Sequence, residues 1–129
     1  MRNIFHILLF MLLPVMFFGC KKSSSGNDIG QLLEQSGWFV HYYYDGSDKT
    51  GSYAAWTFTF TAPGLVTASS TGGTVSGNWQ LSTNNKVLTL QFSGSSIINN
   101  IAGTWSITDN SGDLITMEDG ARVLHFKKE

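Results

Sequence analysis

One cysteine, two prolines and few charges set the first limits on this chain. A single cysteine, Cys20, excludes a disulfide within the chain. Charged residues are 13% of the sequence, against about 25% in ordinary globular domains. Solubility therefore rests on Ser, Thr, Asn and Gly, a composition common in β-rich proteins outside the cytoplasm. Eight Lys and Arg stand against nine Asp and Glu. No basic patch gathers, which argues against nucleic acid as a partner. The long apolar run Ile4–Phe18 has 15 residues, interrupted only by His6 and Pro14. That is short of the roughly 20 apolar residues a membrane-spanning helix needs.

The run has the size of the h-region of a secretory signal, with Arg2 supplying the positive start. Gly19, a small residue, precedes Cys20. This arrangement resembles a bacterial lipoprotein signal, although Phe17 and Phe18 stand where smaller or aliphatic residues are usual. The resemblance implies cleavage before Cys20, a diacylglycerol on its sulfur and an acyl chain such as palmitate on its amine. Residues 1–19 are then the signal peptide, and Cys20 is the lipidation site and membrane anchor. The mature chain, Cys20–Glu129, has 110 residues, enough for one domain with one core. Without Arg2 it carries seven Lys and Arg against nine acids, a net charge of −2. Residues 20–27 hold the lipidated cysteine and a Ser- and Lys-rich tether; Lys21–Asn27 reaches roughly 15 Å on average.

The domain is expected over residues 28–129. Asp28 can cap a short helix ending at Gly37, with Gln31 placed for a capping box. Ile29, Leu32 and Leu33 share one face of it. From Trp38 onward apolar and polar residues alternate with the period of strands. In Trp56-Thr-Phe-Thr-Phe-Thr61, the aromatics face one way and the threonines the other. Turn signals at Asp45-Gly46, Pro63-Gly64, Gly72-Gly73, Asn84-Asn85, Ser111-Gly112 and Asp119-Gly120 divide the pattern. Eight strands follow, near 38–44, 55–61, 65–70, 74–81, 86–92, 101–108, 113–118 and 121–127. A weak repeat links Gly77-x-Trp79-x-Leu81 to Gly103-x-Trp105-x-Ile107, and Val87–Leu90 to Leu114–Met117. Both copies are hairpins. An all-β, eight-stranded antiparallel up-and-down meander with one apolar face hides that face and its edges by closing into a barrel.

The lipoprotein cysteine, the Leu-bearing helix, Gly37-Trp38 and this meander together resemble the small lipocalin-like lipoproteins of Bacteroidota, over residues 28–129. The resemblance implies a lipocalin-like barrel and a habit of binding small apolar molecules. In lipocalins a Gly-x-Trp opens the first strand and a late Arg packs on that Trp. Here Gly37-Trp38 lacks the spacer, and Arg122 is the counterpart of the arginine. The resemblance also bears on location, since surface-exported lipoproteins of this group often carry acids just after the cysteine. Lys21-Lys22-Ser23 stands there instead, which points to an outer-membrane lipoprotein facing the periplasm.

The inward register collects Trp38, Tyr42, Tyr44, Trp56, Phe58, Phe60, Trp79, Leu90, Trp105 and Phe126. These are the candidate lining for an apolar ligand, with the Tyr hydroxyls at the mouth. Gly77 and Gly103 also point inward, and leave space or let a neighbouring ring lie flat. Two readings stand open: a carrier of a small apolar ligand, and a filled barrel whose outer face meets a protein or glycan of the envelope. No inward position carries Asp, Glu, His or Lys, so no catalysis is expected, and no cofactor. His41 and His125 fall outward on the first and last strands; surface histidines are the expected reading over a metal pair. Asp45, Asp48, Asp109, Asp113, Glu118 and Asp119 lie in or near turns without calcium-site spacing. Phe39 and Tyr43 flank His41 outside, where the helix is expected to cover part of the stripe. The protein is expected to be a monomer.

Overall fold

The computed structural model of the protein describes residues 28–94 and 96–129. The expected signal peptide (1–19) and the Cys20 anchor with its tether (20–27) lie outside the described residues. One helix and eight strands follow one another: α1 (Ile29–Glu34), β1 (Gly37–Tyr44), β2 (Thr57–Thr61), β3 (Leu65–Ser70), β4 (Gly73–Leu81), β5 (Val87–Phe92), β6 (Gly103–Asn110), β7 (Leu114–Asp119) and β8 (Arg122–Lys128). Each strand pairs antiparallel with the next, and β8 pairs with β1, so the sheet is a closed up-and-down barrel as expected. Closure gives every strand two neighbours and leaves no unpaired edge. The inward positions of the strands supply the core, among them Trp38, Phe58, Leu88, Trp105 and Phe126, each 0% exposed.

Alternation fails at one place that matters. A β-bulge in β1 shifts the register after Val40: Val40 pairs with Phe126, but Tyr42 pairs with His125. The extra residue, His41, reverses which side chains face inward beyond it. Tyr43 therefore enters the core at 1% exposure, while Tyr44 is 37% exposed and Tyr42 lies half-buried against His125 outside. The expected placement of Tyr42 and Tyr44 inside and Tyr43 outside, which rests on strict alternation from Trp38, does not hold.

Both ends of the barrel are covered. At the end where β1 begins and β4 finishes lies α1, a single six-residue element. Asp28 caps it, its Oδ1 accepting from the backbone N–H of Gly30 at 3.1 Å and of Gln31 at 3.4 Å. Ile29 and Leu33 point into the core, and Trp38 Nε1 donates to the Leu33 carbonyl at 3.0 Å. The helix thus stoppers the end of the barrel, and the expectation that it covers part of the outer face of β1 does not hold. Over the other end lie two 3-10 turns, Thr50–Tyr53 and Ile97–Ile101, which bring Tyr53, Ile98 and Ile101 into the core.

Candidate functional site

The interior is packed with side chains. Phe126 sits between Phe58 and Phe60, with ring centroids 5.1 and 6.0 Å away. Six of the expected lining residues, Trp38, Phe58, Phe60, Leu90, Trp105 and Phe126, come together there, none more than 1% exposed. Two others join from the margin: Trp56, half-buried just before β2, and Trp79, half-buried near the end of β4. The inward glycines leave no hollow. A Cβ on Gly77 would collide with the Gln91 carbonyl and stand 2.8 Å from the Phe92 ring, which lies over it. A Cβ on Gly103 would stand 2.7 Å from Nη2 of Arg122. Both notches are filled by a neighbour.

A polar network ties down the end covered by the 3-10 turns. Tyr43 donates its hydroxyl to the Asn100 carbonyl at 2.9 Å, and Tyr53 donates to the Ile97 carbonyl at 2.8 Å. Arg122 donates from Nη1 to the carbonyls of Asn100 (2.8 Å) and Ala102 (3.3 Å), and pairs with Asp119. Its guanidinium lies 4.5 Å from the centre of the Trp105 ring, a contact worth about 0.5–1 kcal/mol where partly exposed. The arginine implied to pack on Trp38 thus packs on Trp105, because Trp38 lies at the opposite end under α1. Burial pushes the Tyr43 phenol above its ordinary value, and pushes Tyr53 up to about 12 with help from the neighbouring Tyr43. The network holds the carbonyls at the C-terminal end of the second 3-10 turn, those of Asn100 and Ala102. Tyr53, Ile98 and Ile101 were missed in the sequence because they sit between strands, where no period marks them.

The outer wall has two unlike halves. On β8 and β1, His125 lies beside Tyr42, ring centroids 5.3 Å apart. Its desolvation, and next the charge of His41, lower its pKa, opposed by Glu118. Among the described residues no three His, Cys, Asp or Glu come together as metal ligands would. Asp48 serves a turn, accepting from the backbone N–H (2.9 Å) and hydroxyl (2.6 Å) of Thr50.

The other half of the wall is nearly without charge. From Thr50 to Thr108, Lys86 is the only charged residue. Concave surfaces lie here. An open groove of about 620 Å³ runs beside the end of β4, between Gly30 of α1, Pro63, Trp79, Leu81, Thr83 and Thr89. Smaller hollows of about 260 and 300 Å³ continue over Asn78, Gln80 and Gln91. Trp79 borders all three. Its ring is held edge-on to Phe60 at 5.8 Å, and its Nε1 donates to the Thr61 carbonyl at 3.2 Å.

A closed eight-stranded up-and-down barrel with a short N-terminal helix is the architecture of the lipocalin-like proteins. Solved structures from Bacteroides carry the same fold. A DUF4847 family protein from Bacteroides vulgatus superposes with a TM-score of 0.61 at 16% identity, over 78% of this chain and 97% of its own. A lipocalin-like protein from Bacteroides uniformis gives 0.58 at 16% identity, over 76% and 99%. An uncharacterized protein from Bacteroides eggerthii gives 0.55 at 13% identity, over 73% and 98%. No protein-family model matches the chain, and no curated protein matches it. At these identities the likeness is one of fold, and it agrees with the resemblance to lipocalin-like proteins of Bacteroidota read from the sequence.

Proposed function

We propose that the protein is a lipoprotein of the cell envelope whose filled lipocalin-like barrel is a rigid body for recognition at its outer surface. The observation that carries this reading is the packed interior, closed by α1 at one end and by the 3-10 turns at the other. A barrel of eight strands is near the size at which side chains alone fill it. The anchor rests on the sequence: an apolar run of 15 residues ending at Gly19-Cys20. Acyl chains on Cys20 hold the protein with about 0.8 kcal/mol per buried methylene. The absence of acids directly after Cys20 supports the periplasmic face of the outer membrane. The closed sheet favours a monomer, since no edge is left to pair with a second copy. The apolar character of the interior favours a binding protein over an enzyme, with no cofactor.

The second reading, a carrier of a small apolar ligand, is favoured by the likeness to the lipocalin-like protein from Bacteroides uniformis. Such a ligand would have to displace core side chains or one of the end caps. Titrating the full chain with retinol and with palmitate, following tryptophan fluorescence, separates the readings. The filled barrel should give no saturable change; stoichiometric quenching would establish the carrier. Mass spectrometry of the membrane-extracted protein tests the anchor. An acylated Cys20 at the N-terminus is expected, and an unmodified mature terminus overturns it.

A further inference from the structure

We propose that the groove beside Trp79 is a binding site for an uncharged oligosaccharide. The proposal rests on the reading of the outer surface as the part that recognises, and names the class of ligand. Three observations point to it.

The first is charge. No Asp, Glu, Lys, Arg or His lines the groove or the two hollows that continue it. An anion or cation would gain no partner there and would lose water. The second is the kind of polar group. Asn78, Gln80, Thr83, Thr89 and Gln91 offer amides and hydroxyls, and among the described residues no hydrogen bond engages these side chains. A sugar hydroxyl is at once donor and acceptor, and amides and hydroxyls are the side chains that answer both roles from one group. Asn78 pairs with Gln91 and Gln80 with Thr89 across β4 and β5, so these groups form a ladder along the outer face.

The third is Trp79. It is half-buried, and its ring is fixed by Phe60 and by the bond from Nε1 to the Thr61 carbonyl. A held indole has little rotamer freedom to lose on binding. Where it borders the groove at the rim of the barrel, the indole offers an apolar surface to the C–H groups of a pyranose ring. A groove of about 620 Å³ is within the usual range of ligand sites of about 300–1,000 Å³. It is open to solvent, which suits a chain better than a compact molecule needing enclosure. A purely apolar ligand would remain half in water and would strand the amides.

The test uses the full chain in a detergent without a sugar headgroup. Cellotetraose, maltotetraose, mannotetraose and chitotetraose are titrated by calorimetry and by tryptophan fluorescence. At least one should bind saturably with a stoichiometry of one. Trp79→Ala should abolish binding, but it also loosens Phe60, so a second pair carries the decision. Gln80→Ala with Thr89→Ala changes groups at the surface and should leave the circular dichroism and the urea midpoint in place. It should weaken the sugar about tenfold or more, as expected for two lost hydrogen bonds of ordinary strength. Thr83→Trp, which fills the groove, should weaken it further. No binding of any of the four up to 10 mM overturns the proposal, as does binding that these variants leave unchanged. Tighter binding of an acidic oligosaccharide such as a hyaluronan tetramer also overturns it. Retinol is titrated in parallel. Sugar failure with no response to retinol refutes this site and leaves the filled-barrel reading standing; stoichiometric quenching by retinol refutes the filled-barrel reading itself.

Discussion

Adding one methyl group at Gly103 should cost this protein about 3 kcal/mol. The backbone there has φ of +139°, outside the region that residues with a Cβ adopt readily, and forcing such a residue into it costs roughly 1–3 kcal/mol. The new Cβ would stand 2.7 Å from Nη2 of Arg122. The guanidinium must then leave Trp105 and loosen its bonds to the Asn100 and Ala102 carbonyls. A bond from a charged donor contributes about 1.5–3 kcal/mol. Water recovers part of this loss, since the arginine side chain is already 22% exposed. Loss of the ring contact adds about 0.5–1 kcal/mol, while the reduced freedom of the unfolded chain returns about 0.4–1 kcal/mol. With a urea slope of about 1.5 kcal/mol per molar, the midpoint should fall by roughly 2 M. Gly51→Ala is the control, because its φ is ordinary and nothing lies within 4 Å of its added Cβ. It should stay within about 0.5 kcal/mol of the parent. Urea unfolding followed by tryptophan fluorescence reads both. If Gly103→Ala unfolds at the same urea concentration as Gly51→Ala, the notch at Gly103 is empty space and the account of a filled interior is wrong.

Three further outcomes follow from the same geometry. Tyr53, held neutral up to about 12 by burial, ionises earlier in the unfolded chain. Its contribution to stability is complete below about pH 10 and declines as pH rises from there through about 12. Tyr53→Phe should show a shallower alkaline decline in urea midpoint, and an equal slope in both proteins would count against the burial. His125 has the opposite sense: its lowered pKa means that the unfolded chain takes up the proton first. Stability is therefore full above about pH 6.5 and falls as pH drops through the folded value. His125→Gln should lose less stability than the parent between about pH 7.5 and 5. Asp28→Ala should cost about 1 kcal/mol, because Asp28 caps the six-residue helix that closes the barrel. Faster hydrogen exchange at Leu32 and Leu33 should accompany that loss; unchanged exchange would mean that packing alone holds α1.

Much of the fold was legible because a strand half in a core writes itself into its own residues. Thr57–Thr61 alternates with Phe58 and Phe60 inside, and the structure places them so. The hairpin repeat around Trp79 and Trp105 marked neighbouring strands correctly. The three consecutive tyrosines 42–44 offered no such signal. All three are amphipathic, and each suits either face of a sheet. The candidate lining was read in part for the same reason. Residues on regular strands were placed inside correctly, but whether they enclose a space depends on what fills the gaps between them. The groove was not read at all, because Gly30, Pro63, Trp79 and Thr89 belong to four separate elements or turns.

By itself the sequence determined the number and order of the strands, the short capped helix and the closure of the sheet. These follow from local periodicity, from turn residues and from the need to hide one apolar face. Tertiary structure alone decided which tyrosine enters the core, since the bulge at His41 exists only in the pairing of β1 with β8. It also decided that Arg122 fills the notch at Gly103 and that the helix and the 3-10 turns close the ends. Those contacts join residues far apart in the chain, and no period within a segment records which distant side chain will arrive.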